Sequence, residues 1–131
     1  MKPKIKYYGP AILWALFILI ICSVPMGGVG ESHLFFPGFD KLVHCGLFAV
    51  LAIFYCSASI KRLNTRTILF KVAIKNALIL ISFGALIEVL QKYFFTWRSG
   101  NWDDLFADTV GAGIGIFGVL ITINAINRNE N

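Results

Sequence analysis

Four long apolar runs alternate with short polar stretches along this chain, at about residues 8–24, 41–60, 72–91 and 105–124. Each is close to the ~20 residues that carry a helix across a hydrocarbon layer ~30 Å thick. In lipid such runs must be helical, because an open strand leaves backbone N–H and C=O groups without partners. The pattern predicts an all-α integral membrane bundle of four transmembrane helices, forming one domain over residues 1–131. The breaks agree. Pro25 with Gly27, Gly28 and Gly30 stops the first helix, and Pro37 and Gly38 precede Asp40, which suits the N-cap of the second. A polar turn from Lys61 to Thr67 separates the second and third helices, which it makes antiparallel neighbours, and Ser99-Gly100-Asn101 precedes the fourth. No proline follows Pro37, so nothing kinks the last three helices.

Composition sharpens this picture. Hydrophobic residues make up 57% of the chain and charged residues 15%, against about 45–50% and about 25% in soluble domains. A chain of 131 residues has too small an interior to hide that much apolar surface from water. The net charge of +5 does not point to nucleic acid, because the basic residues flank the apolar runs and form no stripe. Cys22, Cys45 and Cys56 all lie within apolar runs and read as small buried residues, with neither a disulfide framework nor metal-type spacing.

Charge also orients the chain. Lys2, Lys4, Lys6, Lys61, Arg62, Arg66, Lys71, Lys75 and Arg128 fall on one side, and only Lys41, Lys92 and Arg98 on the other. The positive-inside rule then puts both termini in the cytoplasm. Lys71 and Lys75 are placed to snorkel to the inner surface. A small-X-small cleavage site is not evident before Pro25, so the first run is expected to remain as a helix and not to be removed as a signal peptide. The acids are distributed the other way. Glu31, Asp40, Glu88, Asp103, Asp104 and Asp108 belong to the outer side and Glu130 alone to the inner side. Acidic residues do not set topology, so their concentration needs another cause.

Helical rise supplies one. His44, Glu88 and Asp108 each fall ~6 Å in from the outer end of their helix. Ionisable groups at that depth are tolerated when they turn inward and meet one another. Asp40 and His44, Glu88 and Gln91, and Asp104 and Asp108 are spaced three or four apart, one helix face for each pair. Below the aspartates the same face continues through Gly111, Gly115 and Gly118, a stripe that lets a neighbouring helix come close. The aromatic residues Tyr93, Phe94, Phe95, Trp97 and Trp102, with Phe35, Phe36 and Phe39, suit an interfacial belt.

Three roles are compatible with this cluster. The first is a structural clamp, with Arg98 paired to a carboxylate and His44 bonded to Asp108 or Glu88. The second is a binding site for an envelope lipid or lipopeptide headgroup, with Arg98 reaching a phosphate or carboxylate. The third is an enzyme acting on a lipid-linked phosphate or a peptide, in which His44 is the acid/base and Glu88 or Asp108 orients it. No nucleophile or metalloprotease motif is present. Histidine with carboxylates can hold a metal, and His33 in the first outer loop could add a second histidine, but with only one in place neither a resident metal nor another cofactor is expected. A transport pathway would need several copies of so short a chain, and an oligomer is left open.

At these residues the chain resembles the VanZ-like family, named for a protein linked to teicoplanin resistance in bacteria. The resemblance rests on Asp40-Lys41-x-x-His44, then Glu88-x-x-Gln91, then Arg98, Asp104, Asp108, Gly111 and Gly115. Asp108 stands where the family commonly has asparagine. Together these motifs span positions 40 to 115. The resemblance implies a small multi-pass protein of the bacterial inner membrane, with a role at the cell envelope. With Lys41 from its motif, the expected ligand-binding set is Asp40, Lys41, His44, Glu88, Gln91, Arg98, Asp104 and Asp108.

Overall fold

The computed structural model describes residues 4–23, 39–94 and 102–130, with the backbone alone at Lys4 and Asp40. A 3-10 turn, Lys4–Tyr8, leads into α1, Gly9–Ser23. It is followed by α2, Phe39–Leu63; α3, Phe70–Tyr93; and α4, Trp102–Asn129. Among the described residues there is no strand. All four helices, the first counted with its 3-10 turn, are long and apolar enough to cross a membrane. Only 17% of the first span is buried inside the protein, and 39%, 28% and 28% of the next three. Side chains such as Leu13, Leu42, Phe70, Leu78, Phe106 and Phe117 therefore point outward from the bundle. Water would not tolerate so much exposed apolar surface; lipid does. The chain is an all-α multi-pass membrane bundle.

The ends differ from the sequence expectation in informative ways. α2 begins at Phe39, so Asp40 falls inside its first turn and is not the residue before it. α4 runs 28 residues, ~42 Å at the helical rise, and so continues past a hydrocarbon core of ~30 Å through Asn124, Asn127 and Arg128. α2 closes on Asn64, whose φ of 53° places it in the left-handed region. The Thr65 amide donates to the Ile60 carbonyl at 3.2 Å and the Asn64 amide to Lys61 at 3.4 Å. This is a Schellman cap with asparagine in the place usually held by glycine. The expected stops at 25–30, 37–38 and 99–101 lie outside the described residues, as do His33, Phe35, Phe36, Phe95, Trp97 and Arg98.

The dominant seam joins α2 to α4, two helices that are not consecutive; α3 packs next against α4, and its contact with α2 is slighter. The turn does make α2 and α3 neighbours, through Phe48 and Phe83 at 5.9 Å between ring centroids. Small residues explain why α2–α4 prevails. A Cβ on Gly111 would collide with the Cys45 carbonyl, and one on Gly115 would meet the Ala49 carbonyl and stand 2.7 Å from the Ala52 Cβ. A step of four on α4 is thus matched by a step of four on α2, and the two helices run parallel in close contact. Gly118 does not continue this stripe: it is exposed, and a Cβ there would meet nothing within 4 Å.

Polar bonds fasten the outlying helices. Trp14 donates its indole N–H to the Leu47 carbonyl at 2.9 Å, fixing α1 on α2. Near the termini, Asn76 of α3 donates to Ser59 of α2 at 3.1 Å and lies 3.6 Å from Cys56 Sγ, and Tyr8 stands 3.4 Å from Ser59. Asn76 and Ser59 are both buried. Asn127 donates to the Arg66 carbonyl at 3.2 Å and so ties α4 to the α2–α3 turn. The neighbouring Arg66–Glu130 pair, at 3.7 Å with both side chains exposed, adds little.

Candidate functional site

The close α2–α4 seam is what builds the polar site. Cys45 touches Gly111, so its neighbour His44 arrives one helical turn from Gly111, where Asp108 stands. Nδ1 of His44 lies 2.9 Å from Oδ1 of Asp108, and both residues are buried, at 5% and 0% exposure. With Asp108 as carboxylate it can only accept, so Nδ1 carries the proton and donates. The second Asp108 oxygen, Oδ2, faces α3 at Gly84, where a Cβ would stand 3.1 Å away. Glu88 follows Gly84 by one turn and joins the group. His44, Glu88 and Asp108 each offer a ligand atom, and these atoms lie within 4.8 Å of one another. Asp104, 8% exposed and one turn above Asp108 on the same face of α4, acts electrostatically on both His44 and Asp108.

The structure therefore brings together His44, Glu88, Asp104 and Asp108, from three different helices. It separates others of the expected set. Gln91 is buried but donates its amide to the Cys22 carbonyl at 3.1 Å. That carbonyl belongs to the last turn of α1, where backbone acceptors have no intrahelical donor. Glu88 and Gln91 share a helix and a spacing of three, yet one serves the cluster and the other caps α1. Lys41 is half-buried in the first turn of α2. The Asp40 side chain and the whole of Arg98 lie outside the described residues.

Oδ2 of Asp108 and Oδ1 of Asp104 are buried and have no hydrogen-bond partner among the described residues. Beside the cluster, a cleft of about 210 Å³ opens between the end of α3 and the start of α4. Glu88, Lys92, Tyr93, Trp102, Leu105 and Ala85 line it. Tyr93 and Trp102 are exposed aromatics, and the Lys92 ammonium lies 5.7 Å from the Tyr93 ring centroid. Glu88 belongs to both cleft and cluster. Periodicity on α3 and α4 taken singly does not reveal this cleft, because it is formed by their mutual approach. The polar group at Asn76 was also missed, although an asparagine within a long apolar run was signal enough.

Fold and site define a class: a four-helix membrane protein with a histidine–carboxylate cluster buried at the bundle end away from the two termini. No protein-family model, curated protein or solved structure matches the chain.

Proposed function

We propose that this chain is a VanZ-like protein of the bacterial inner membrane that binds the headgroup of an envelope lipid or lipoglycopeptide at its outer face. The observation that carries this reading is the cleft between α3 and α4, with Glu88 at its inner wall and Lys92, Tyr93 and Trp102 around it. A headgroup carrying both an amine and a phosphate meets a carboxylate and an ammonium there, with aromatic rings at headgroup depth. The lysine and arginine distribution supports a cytoplasmic location for the termini, which turns the cleft outward. The shared spacing of Asp40, Lys41, His44, Glu88, Gln91, Arg98, Asp104 and Asp108 supports the family assignment.

The test is a lipid mass spectrum of the protein extracted in mild detergent, compared with an Ala85→Trp variant that fills the cleft. One lipid class should be enriched over the bulk membrane in the parent and return to bulk proportion in the variant. Equal lipid profiles in the two proteins sink the proposal. Teicoplanin susceptibility of cells expressing each form tests the link to glycopeptide resistance, which should weaken when the cleft is filled.

The His44–Asp108 bond favours one second reading, an enzyme acting on a lipid-linked phosphate or peptide. Asp108 holds the ring with Nδ1 protonated, which leaves Nε2 as the basic nitrogen. Turnover of a lipid-linked pyrophosphate by the parent and its loss in His44→Gln would support this; turnover surviving that change rules it out.

A further inference from the structure

The charge and geometry of the cluster carry a conclusion beyond headgroup binding and independent of it. We infer that His44, Glu88 and Asp108 form a binding site for a divalent first-row metal ion, held by one imidazole nitrogen and two carboxylates. The three ligand atoms, from three helices, already lie within 4.8 Å of one another. Donors around an ion at ~2.0–2.2 Å stand ~3–3.5 Å from each other, so closure needs only small side-chain rotations. The ion would take the place of the proton between His44 Nδ1 and Asp108 Oδ1, 2.9 Å apart, with the ring proton carried on Nε2 instead.

A second observation points to a ligand in its own right. Oδ2 of Asp108, on a side chain that is fully buried, has no hydrogen-bond partner among the described residues, nor has Oδ1 of Asp104 at 8% exposure. Buried carboxylate oxygens are costly unless something positive or protic meets them. A divalent cation would meet those lone pairs and also balance the Glu88 and Asp108 carboxylates, with His44 neutral. Asp104, buried one turn from Asp108 on the same face of α4, adds attraction for a cation. Imidazole suits zinc, copper, iron and nickel while carboxylates suit manganese, so zinc and manganese bracket the ions this set would take. Counting histidines along the sequence argued against a metal. The two carboxylates were already placed at the depth of His44; the structure adds that their ligand atoms and that of His44 converge within 4.8 Å.

The experiment uses the full chain in detergent, stripped with chelator and titrated separately with Zn²⁺ and Mn²⁺. Bound ion is counted by mass spectrometry after gel filtration. One ion per chain is expected, with affinity falling at least about tenfold in Glu88→Gln and in Asp108→Asn. Asp108→Asn keeps an acceptor for the His44 N–H, so a purely structural pair survives it while metal binding does not. Substoichiometric binding of both ions overturns the proposal, as does stoichiometric binding that the two variants leave unchanged. Should a variant fail to fold, Mn²⁺ broadening of histidine ring resonances in the parent decides instead. Broadening of His44 ahead of His33 supports the site; broadening of His33 alone, or of neither, refutes it. Because only ions are added, a negative result leaves the headgroup reading standing, and failure of the lipid measurement leaves the metal site standing.

Discussion

Gly84 of α3 makes the space that Asp108 of α4 occupies: a Cβ on Gly84 would stand 3.1 Å from Oδ2 of Asp108 and 3.4 Å from its Cβ. The carboxylate thus lies against a gap in one helix while its other oxygen meets His44 of a second. Gly84→Leu should force α3 and α4 apart at the cluster, at a cost of ~1–3 kcal/mol for overpacking. Thermal unfolding in detergent measures this, and Gly84→Ala should cost less because the neighbour needs to yield by only tenths of an ångström.

The glycines of α4 should divide into two groups. Gly111→Ala and Gly115→Ala push a methyl into the α2 backbone and should each destabilise by ~1–3 kcal/mol. Gly113→Ala and Gly118→Ala meet nothing and should be neutral or stabilising by up to ~1 kcal/mol, from helix propensity. A shared response of all four in a melting series would mean the α2–α4 seam is not where the helices touch.

For the His44–Asp108 pair, removal of one partner should be worse than removal of both. His44→Leu leaves Asp108 buried without its donor, and breaking such a pair costs ~3–5 kcal/mol. The double variant His44→Leu/Asp108→Leu should recover most of that loss. A double-mutant cycle on unfolding free energy reads the coupling directly.

The Asn76–Ser59 bond makes a milder demand. Asn76→Leu removes the donor to Ser59 and Cys56 and should lower stability by ~0.6–1.7 kcal/mol, the range of polar contacts between helices in membranes. Its site lies toward the termini, so metal and lipid measurements on the cluster should be unaffected.

Orientation is open to labelling. With Cys45 replaced by alanine, a cysteine at Asp103 should react with an impermeant maleimide on intact cells. One at Thr65 should react only after permeabilisation. The reverse pattern would place the cleft in the cytoplasm and end the envelope reading.

Much of the fold was legible without coordinates, because a bilayer leaves an apolar run of ~20 residues one solution, and four such runs give four helices. The depth of His44, Glu88 and Asp108 was legible for the same reason: helical rise is constant, so position in a run is position along the membrane normal. Rotation and partner choice were legible only in part: His44, Glu88 and Asp108 do turn to one another, and Gly111 and Gly115 do face a neighbouring helix. Spacing within α3 could not tell that Glu88 turns to His44 while Gln91 turns to the Cys22 carbonyl, since that depends on where α1 and α4 stand. Nor could it tell that Gly118 leaves the seam that Gly111 and Gly115 form, because the seam advances in steps of four to the buried Val119 and Gly118 falls beside it. The sequence by itself determined which runs are helices long and apolar enough to cross a membrane, and how far along each run a residue stands. Only the tertiary structure decided which of them face one another, because in lipid that choice rests on shape and polar pairing between helices, which no single helix encodes.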